Sequence, residues 1–334
     1  MKKHVFAMLA AVAMAGGAQA QEYFLYYPHT GEKVAAKDIP VPSAKALAEK
    51  TTWKGAGGLT VNFIYSDPAN LGWNETTVGA TRKATLQAVF AYVDSVLNHV
   101  ATIDVVCQVS DFNASGALGS AGSLYEVGDG FFDAISKEHI VTGVDPVPGA
   151  GFEDIFITMD FGYTWNNGLG APAISEFDLF TVLLHEVTHG LGFASLAQAS
   201  GASQYSSEPP PNKAFTKWDN LLFRTSGAAK LWSGVSPNYV GGTLAGGDNT
   251  LDFRGTNTQT SFGSFPPIYS PNPFQSGSSI SHWQLIAPIP SNAVMRPAVA
   301  AGVSNRAYLP FEIQTLRDLG YTVNVTAVPD WNLY

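Results

Sequence analysis

The segment His185-Glu186-Val187-Thr188-His189 holds two histidines four residues apart, with a glutamate directly after the first. On a helix, residues at this spacing lie one turn apart on the same face, so both imidazoles can reach one metal ion. Glu186 is displaced around the helix, where its carboxylate can reach a water molecule beside the ion without ligating it. The spacing predicts metal-assisted hydrolysis, with His185 and His189 as zinc ligands and Glu186 as the general base.

A buried helix must hold this motif. An apolar run over residues 180–184 precedes it. We predict that Ser175 caps the helix and that Glu176 and Asp178 lie in its first turn, where the helix dipole favours acidic side chains. Gly190 or Gly192 is expected to end the helix shortly after the second histidine.

The surrounding pattern of residues 59–192 mixes strands and helices. Alternating, β-rich stretches predict strands over residues 59–65, 103–109 and 154–161. Apolar residues at helical spacing predict a helix over residues 81–99. The Gly/Ser/Ala-rich stretch 110–122 is predicted to be a loop.

The later part of the chain has a weaker pattern. We predict a short helix over residues 215–223, irregular structure over residues 239–273, and a last helix over residues 311–319 followed by a short strand at 321–325. The fold class is therefore α+β, with a strand-rich first lobe and a mostly irregular second lobe.

The first 20 residues have the features of an export signal. Lys2 and Lys3 precede an apolar stretch over residues 5–15 that is too short to span a bilayer. Ala18 and Ala20 then form a signal peptidase site, so we expect cleavage after Ala20 and a secreted or periplasmic product.

Composition limits the partners. The chain carries 18 basic and 27 acidic side chains, a net charge of -9. This acidic balance argues against nucleic acid and anionic membranes as partners, and no stretch after the signal is apolar enough to insert into a membrane. The hydrolytic motif leads us to expect protein or peptide substrates.

Residues 185–193, HEVTHGLGF, resemble the zinc helix and glycine turn of the metzincin metallopeptidases. In most metzincins a third histidine lies three residues after the glycine. Here that position is Ser195, and serine is a poor zinc ligand. The third ligand is therefore expected elsewhere in the chain.

A second block resembles the leishmanolysin-like branch of the metzincins. His282 lies in the segment GSSISHW, Met295 follows in SNAVMRP, and a group of secreted bacterial proteins is similar in both segments. In that branch the third histidine follows a long insert, and a methionine turn lies beneath the metal. The resemblance implies that His282 is the third zinc ligand, that Met295 forms the Met-turn, and that the chain folds as a metzincin-like two-lobed catalytic domain.

Other candidate ligands are less suited. Glu208 precedes three prolines, which forbid the helix that a glutamate ligand normally occupies, and Asp219 is more typical of a helix surface. We predict no metal role for His29 in an irregular arm, His99 at a helix end, or His139 in a polar run.

The domain boundaries follow from these features. We expect a signal peptide over residues 1–20, an N-terminal arm or short pro-segment over 21–58, a catalytic lobe ending in the zinc helix over 59–192, a second lobe over 193–327, and a tail over 328–334.

Two functions remain under consideration. The first is a secreted zinc-dependent endopeptidase, whose extended substrate we expect to pair with the strand over residues 154–161. The alternative is an exported, non-catalytic zinc protein that binds glycans or protein surfaces. Glu186 favours the enzyme, since structural zinc needs no acid and is often closed by cysteines, of which the chain has one. Calcium binding by Asp248 or Asp252 is left open.

Overall fold

A computed structural model of the protein describes residues 22–39, 41–205, 213–240, 244 and 251–326. The predicted signal peptide and the tail lie outside the described residues, as do Glu208 and Asp248. The helices are α1 Ala44–Ala48, α2 Gly79–Val96, α3 Ile135–Thr142, α4 Leu179–Gly190, α5 Thr256–Phe262 and α6 Pro310–Asp318. The strands are β1 Tyr23–Tyr27, β2 Glu32–Ala35, β3 Thr51–Lys54, β4 Leu59–Tyr65, β5 Ala101–Asp111, β6 Gly119–Glu126, β7 Gly130–Phe132, β8 Ile155–Asp160, β9 Trp165–Asn166, β10 Phe177–Asp178, β11 Ala214–Thr216, β12 Leu222–Arg224, β13 Trp232–Ser233, β14 Asn238–Tyr239 and β15 Leu251–Phe253.

A seven-stranded mixed sheet organises the first lobe, in the order β2-β1-β6-β8-β5-β4-β3. Strands β4, β5 and β8 run parallel, and β6 runs antiparallel to β8. The second lobe holds the short strand pairs β12–β15 and β13–β14 and the helices α5 and α6. These elements confirm the predicted α+β class. One hydrophobic core extends from Leu59 in the sheet to Tyr321 after α6, so the two lobes share their packing.

The predicted arm is part of this sheet. Strands β1 and β2 form a hairpin whose first strand pairs with β6, and β3 forms the opposite edge beside β4. Successive side chains of β1 point to opposite faces, as expected for a strand. Phe24 and Tyr26 face one packing layer, and Leu25 and Tyr27 face another.

The expectation for the sheet edge was wrong. Strand β8 is paired on both sides, with β5 and with β6, so residues 154–161 offer no free edge to a substrate. Residues 119–126, part of which we predicted as loop, form β6. Its small residues permit close packing, since a Cβ at Gly119 would lie 2.6 Å from Met159 Sδ and one at Gly122 would lie 1.8 Å from the Tyr26 carbonyl oxygen.

Several local predictions need correction as well. Residues 214–224 form two short strands around a 3-10 turn instead of a helix, and α5 lies within the stretch expected to be irregular. Residues 321–325 make only an isolated bridge from Val323 to Leu97. The last helix is confirmed as α6. Among the described residues, no helix combines the length and apolarity that crossing a membrane requires.

Candidate metal centre

Helix α4 carries the predicted motif and is buried over its whole length. Its N-cap is Asp178, whose Oδ2 accepts a hydrogen bond of 3.1 Å from the N–H of Thr181, so the helix begins three residues later than the expected Ser175 cap implies. Glu176 lies before the helix and accepts from the N–H of Ala173. At the other end the helix stops at Gly190, as predicted.

The glycine turn after α4 orients the second histidine. Gly192 adopts a positive φ of 94°, a conformation that favours glycine, and the chain turns back over the helix end. The carbonyl oxygen of Phe193 then accepts a hydrogen bond of 2.6 Å from His189 Nδ1. The HGLGF segment therefore serves both to end the helix and to hold the imidazole of His189.

His185 and His282 are oriented in the same way. Nδ1 of His185 donates to the carbonyl oxygen of Val294 at 2.8 Å, and Nδ1 of His282 donates to the carbonyl oxygen of Ser278 at 2.7 Å. A neutral imidazole carries one N–H, and a carbonyl can only accept, so all three rings must bear the proton on Nδ1. Each Nε2 is left with a lone pair.

The three lone pairs converge. The Nε2 atoms of His185, His189 and His282 lie 3.1, 3.1 and 3.2 Å apart. Three acceptors this close repel one another unless a cation lies between them. Tetrahedral ligands of zinc at about 2.0–2.1 Å lie about 3.3–3.4 Å from one another, which is near the observed spacing. The described residues therefore include a group that could bind a metal ion.

Burial keeps these histidines neutral. Side chains of His189 and His282 are fully buried and His185 is nearly so. Burial lowers the pKa of His185 to about 3 and those of His189 and His282 well below their ordinary value, because a charged imidazole would lose its hydration. Neutral imidazole is the form that binds a metal.

Glu186 lies beside the cluster without belonging to it. Its Oε2 accepts a hydrogen bond of 2.8 Å from the N–H of Ala121 in β6, and the atoms close enough to share an ion are all from histidines. Burial raises the pKa of Glu186 to about 8, and the hydrogen bond from Ala121 partly offsets this. A divalent cation nearby would lower that pKa.

His29 is a fourth histidine at this centre, where we expected none. One nitrogen of each of His29, His185, His189 and His282 lies within 4.8 Å of the others. The sequence around His29, Pro28-His29-Thr30-Gly31, has the composition of a turn between two strand-forming runs, which was the available signal for its hairpin. Nothing local to those residues indicates that the turn reaches the metal centre.

The remaining candidates lie elsewhere. Asp219, expected at a helix surface, is fully buried and holds Ser195 Oγ at 2.5 Å, outside the histidine cluster. His139 is buried and paired with Asp154 at 2.8 Å instead of lying at the surface, and His99 accepts from the N–H of Thr322. Asp252 forms an ion pair with Arg254.

Met295 lies fully buried in the turn that follows Val294. Its own N–H donates to Glu312 Oε1 at 2.9 Å, and its carbonyl accepts from the N–H of Trp283, the neighbour of His282. Glu312 was not singled out from the sequence, because nothing in the pattern of α6 indicates that its carboxylate accepts hydrogen bonds from the backbone of Val294 and Met295.

Comparison of the chain with protein-family models, with curated proteins and with solved structures found no match. The histidine cluster and the cleft that opens beside it are therefore the features that indicate a function.

Proposed function

We propose that the protein is a zinc-dependent endopeptidase of the metzincin type. The observation that carries this proposal is the convergence of three Nε2 lone pairs on one point with the carboxylate of Glu186 beside them. A purely structural site has no use for that acid.

His185, His189 and His282 would hold the zinc ion. When bound, zinc supplies a Lewis acid that makes water acidic near neutral pH and polarises a peptide carbonyl. Glu186 accepts the proton of the attacking water and passes it to the leaving amine. The N–H of Ala121 holds Oε2, which fixes the carboxylate plane and leaves Oε1 available for that proton.

A cleft of about 260 Å³ opens next to His185 and Glu186. Its lining is mostly apolar and includes Leu118, Tyr163, Phe177, Val182, Val294 and Val299. Arg296 and Asn305 add polar groups. We infer that the cleft receives an apolar side chain next to the scissile bond, since apolar lining with a few polar groups is typical of specificity pockets.

The test is Glu186→Gln, with the exposed Glu49→Gln as the matched control. The parent and both variants are assayed on a quenched peptide library. The same three proteins are also assayed with His29→Ala added, because His29 lines the same cleft. Glu186→Gln should keep one equivalent of zinc and its fold while cleavage falls by about 10²–10⁴-fold or more, as expected for loss of a general base. Cleavage by Glu186→Gln/His29→Ala close to that of His29→Ala alone would rule the mechanism out.

The second candidate, a non-catalytic protein with structural zinc, is favoured by one observation. With His29 the centre offers four nitrogens, and structural zinc sites are usually closed by four protein ligands. Under this alternative, no variant cleaves peptides, and a chelator lowers the melting temperature strongly. The two candidates therefore differ in the His29→Ala background, where only an enzyme becomes active.

A further inference from the structure

We propose that His29 is the fourth metal ligand, and that the N-terminal hairpin, formed by β1, β2 and residues 28–31 between them, keeps the enzyme latent. This inference rests on the proposed function, because latency has meaning only for an active centre. It assigns a regulatory role to a segment that the proposed chemistry does not use.

The pairing register of β1 with β6 places the turn of the hairpin beside the histidine cluster. Strand β1 runs antiparallel to β6, with Tyr23 opposite Glu126 and Tyr26 opposite Ser123. Continuing in that direction brings residues 28–29 towards Ala121, whose N–H holds Glu186. The turn therefore lies over the general base and not over a remote part of the sheet.

The side chain of His29 points into the centre. Its Nδ1 lies 3.9 Å from Glu186 Oε1, and its ring stands edge-on to the rings of His185 and His282, with centroids 5.9 and 5.8 Å away. Nδ1 is buried and has no hydrogen-bond partner among the described residues. A buried imidazole nitrogen without a partner is costly. One nitrogen of this ring lies within 4.8 Å of a nitrogen of each of the other three histidines, where a metal ion would give the ring a partner.

Two glycines make room for this approach. A Cβ at Gly277, five residues before His282, would lie 2.2 Å from the carbonyl oxygen of His29. A Cβ at Gly31 would lie 2.8 Å from Ser276 Oγ. Both glycines have positive φ, 83° and 71°, so the turn and the third-ligand segment are shaped for contact. The contact also places His29 in the wall of the cleft beside His185 and Glu186.

The hairpin is held firmly but is joined to the lobe by an exposed link. Phe24 and Tyr26 pack with Leu196 and Tyr205, so thermal opening of the hairpin is unfavourable. Beyond β2 the chain is exposed at Lys37, Asp38 and Val41. Proteolytic cleavage in that link would leave β1 held to the sheet only by its pairing with β6 and by side-chain packing, and dissociation of the hairpin would then free the fourth position on the metal.

The test asks whether the fourth position is occupied, without relying on catalysis. The protein is loaded with Co²⁺, and its visible absorption spectrum is titrated with azide, a small anion that binds only to an open position. The variants are His29→Ala and, as the matched control, Thr30→Ala at an exposed position of the same turn. Azide should change the spectrum of His29→Ala and leave the parent and Thr30→Ala unchanged. Peptide cleavage should rise about tenfold or more in His29→Ala, since activity follows the fraction of molecules with an open site.

Each outcome either supports or overturns the assignment of His29 as a fourth ligand that keeps the enzyme latent. Equal azide binding by the parent and by His29→Ala would show that His29 is not a ligand and would overturn the inference. Azide binding by His29→Ala without cleavage would support the ligand assignment and reject the peptidase. Loss of the metal itself from His29→Ala, measured by elemental analysis, would make His29 an indispensable ligand of a closed site and would overturn latency.

Discussion

The carboxylate of Glu312 in α6 binds the backbone at Met295. Its Oε1 accepts a hydrogen bond of 2.9 Å from the Met295 N–H, while Oε2 accepts one of 3.1 Å from the Val294 N–H. The carbonyl of Val294 in turn orients His185. A carboxylate 17 residues beyond the methionine therefore sets the position of His185, a proposed metal ligand, through the backbone. Glu312 acts as a positioning residue, since it is neither one of the clustered histidines nor a lining residue of the cleft.

Replacing Glu312 should affect both stability and metal binding. Glu312→Ala leaves buried N–H groups at Val294 and Met295 without acceptors, and each costs about 1–3 kcal/mol. We expect the free energy of unfolding to fall by about 2–6 kcal/mol and zinc affinity to fall with it. Chemical denaturation and zinc titration measure the two effects, with exposed Arg317→Ala on the same helix as the control. Unchanged zinc affinity in a folded Glu312→Ala protein would contradict the positioning role.

Removal of the third ligand should reveal the fourth. His282→Ala should weaken zinc binding by more than about 100-fold, since even the partners of ligands are worth 10–100-fold. Because His29 can still complete a three-nitrogen set, some binding should persist, and the double variant His29→Ala/His282→Ala should lose it. Competition with a zinc-binding dye measures these affinities. Full affinity in His282→Ala would show that His282 is not a ligand.

Asp219 should prove structural. Its buried carboxylate accepts from Ser195 Oγ, from the Leu196 N–H at 3.0 Å and from the Thr216 N–H at 2.9 Å. We expect Asp219→Ala to retain one equivalent of zinc while unfolding at lower denaturant concentration, as unsatisfied buried donors cost about 1–3 kcal/mol each. Elemental analysis beside a denaturation curve tests this, and loss of zinc from the folded variant would count against it.

Ser195→His should not restore the usual metzincin ligand. Ser195 is fully buried, and its N–H donates to Ser281 Oγ at 3.1 Å while its own Oγ faces Asp219. An imidazole at this position would overpack the loop. We therefore expect zinc affinity in Ser195→His/His282→Ala to stay as low as in His282→Ala, and a recovered affinity would refute this.

The cleft should select the residue beside the scissile bond. Val299 is half-buried in its lining, so Val299→Arg should narrow the space and add a positive charge. We expect cleavage after this change to shift from large apolar residues towards small or acidic ones, with a loss of about 10–200-fold for the former. Mass spectrometry of a peptide library digested by the His29→Ala variant measures the preference, and Val303→Arg outside the lining is the control. An unaltered preference would place the specificity pocket elsewhere.

Features that depend on local spacing could be predicted from the sequence, whereas features that depend on tertiary contacts could not. Helix α4 and the pairing of His185 with His189 follow from spacing along one helix, which is a local property. His282 could be named only through the resemblance, since nothing in its spacing brings it across 93 residues to His189. Strand β6 was missed because its glycines reflect the close approach of Tyr26 and Met159, and such an approach depends on the whole sheet. The place of His29 beside the other three histidines was not predicted either, because it too depends on how β1 pairs in the sheet.

The three imidazoles donate to main-chain carbonyls at Val294, Phe193 and Ser278. No side chain supplies these acceptors, so point substitutions at those three positions cannot delete one. The arrangement of the three imidazoles is thereby tolerant of changes in residue type around it and sensitive to insertions or deletions that move the chain path. During evolution, the neighbourhood of this centre could diversify in side chains for new substrates while its loop lengths stayed constant.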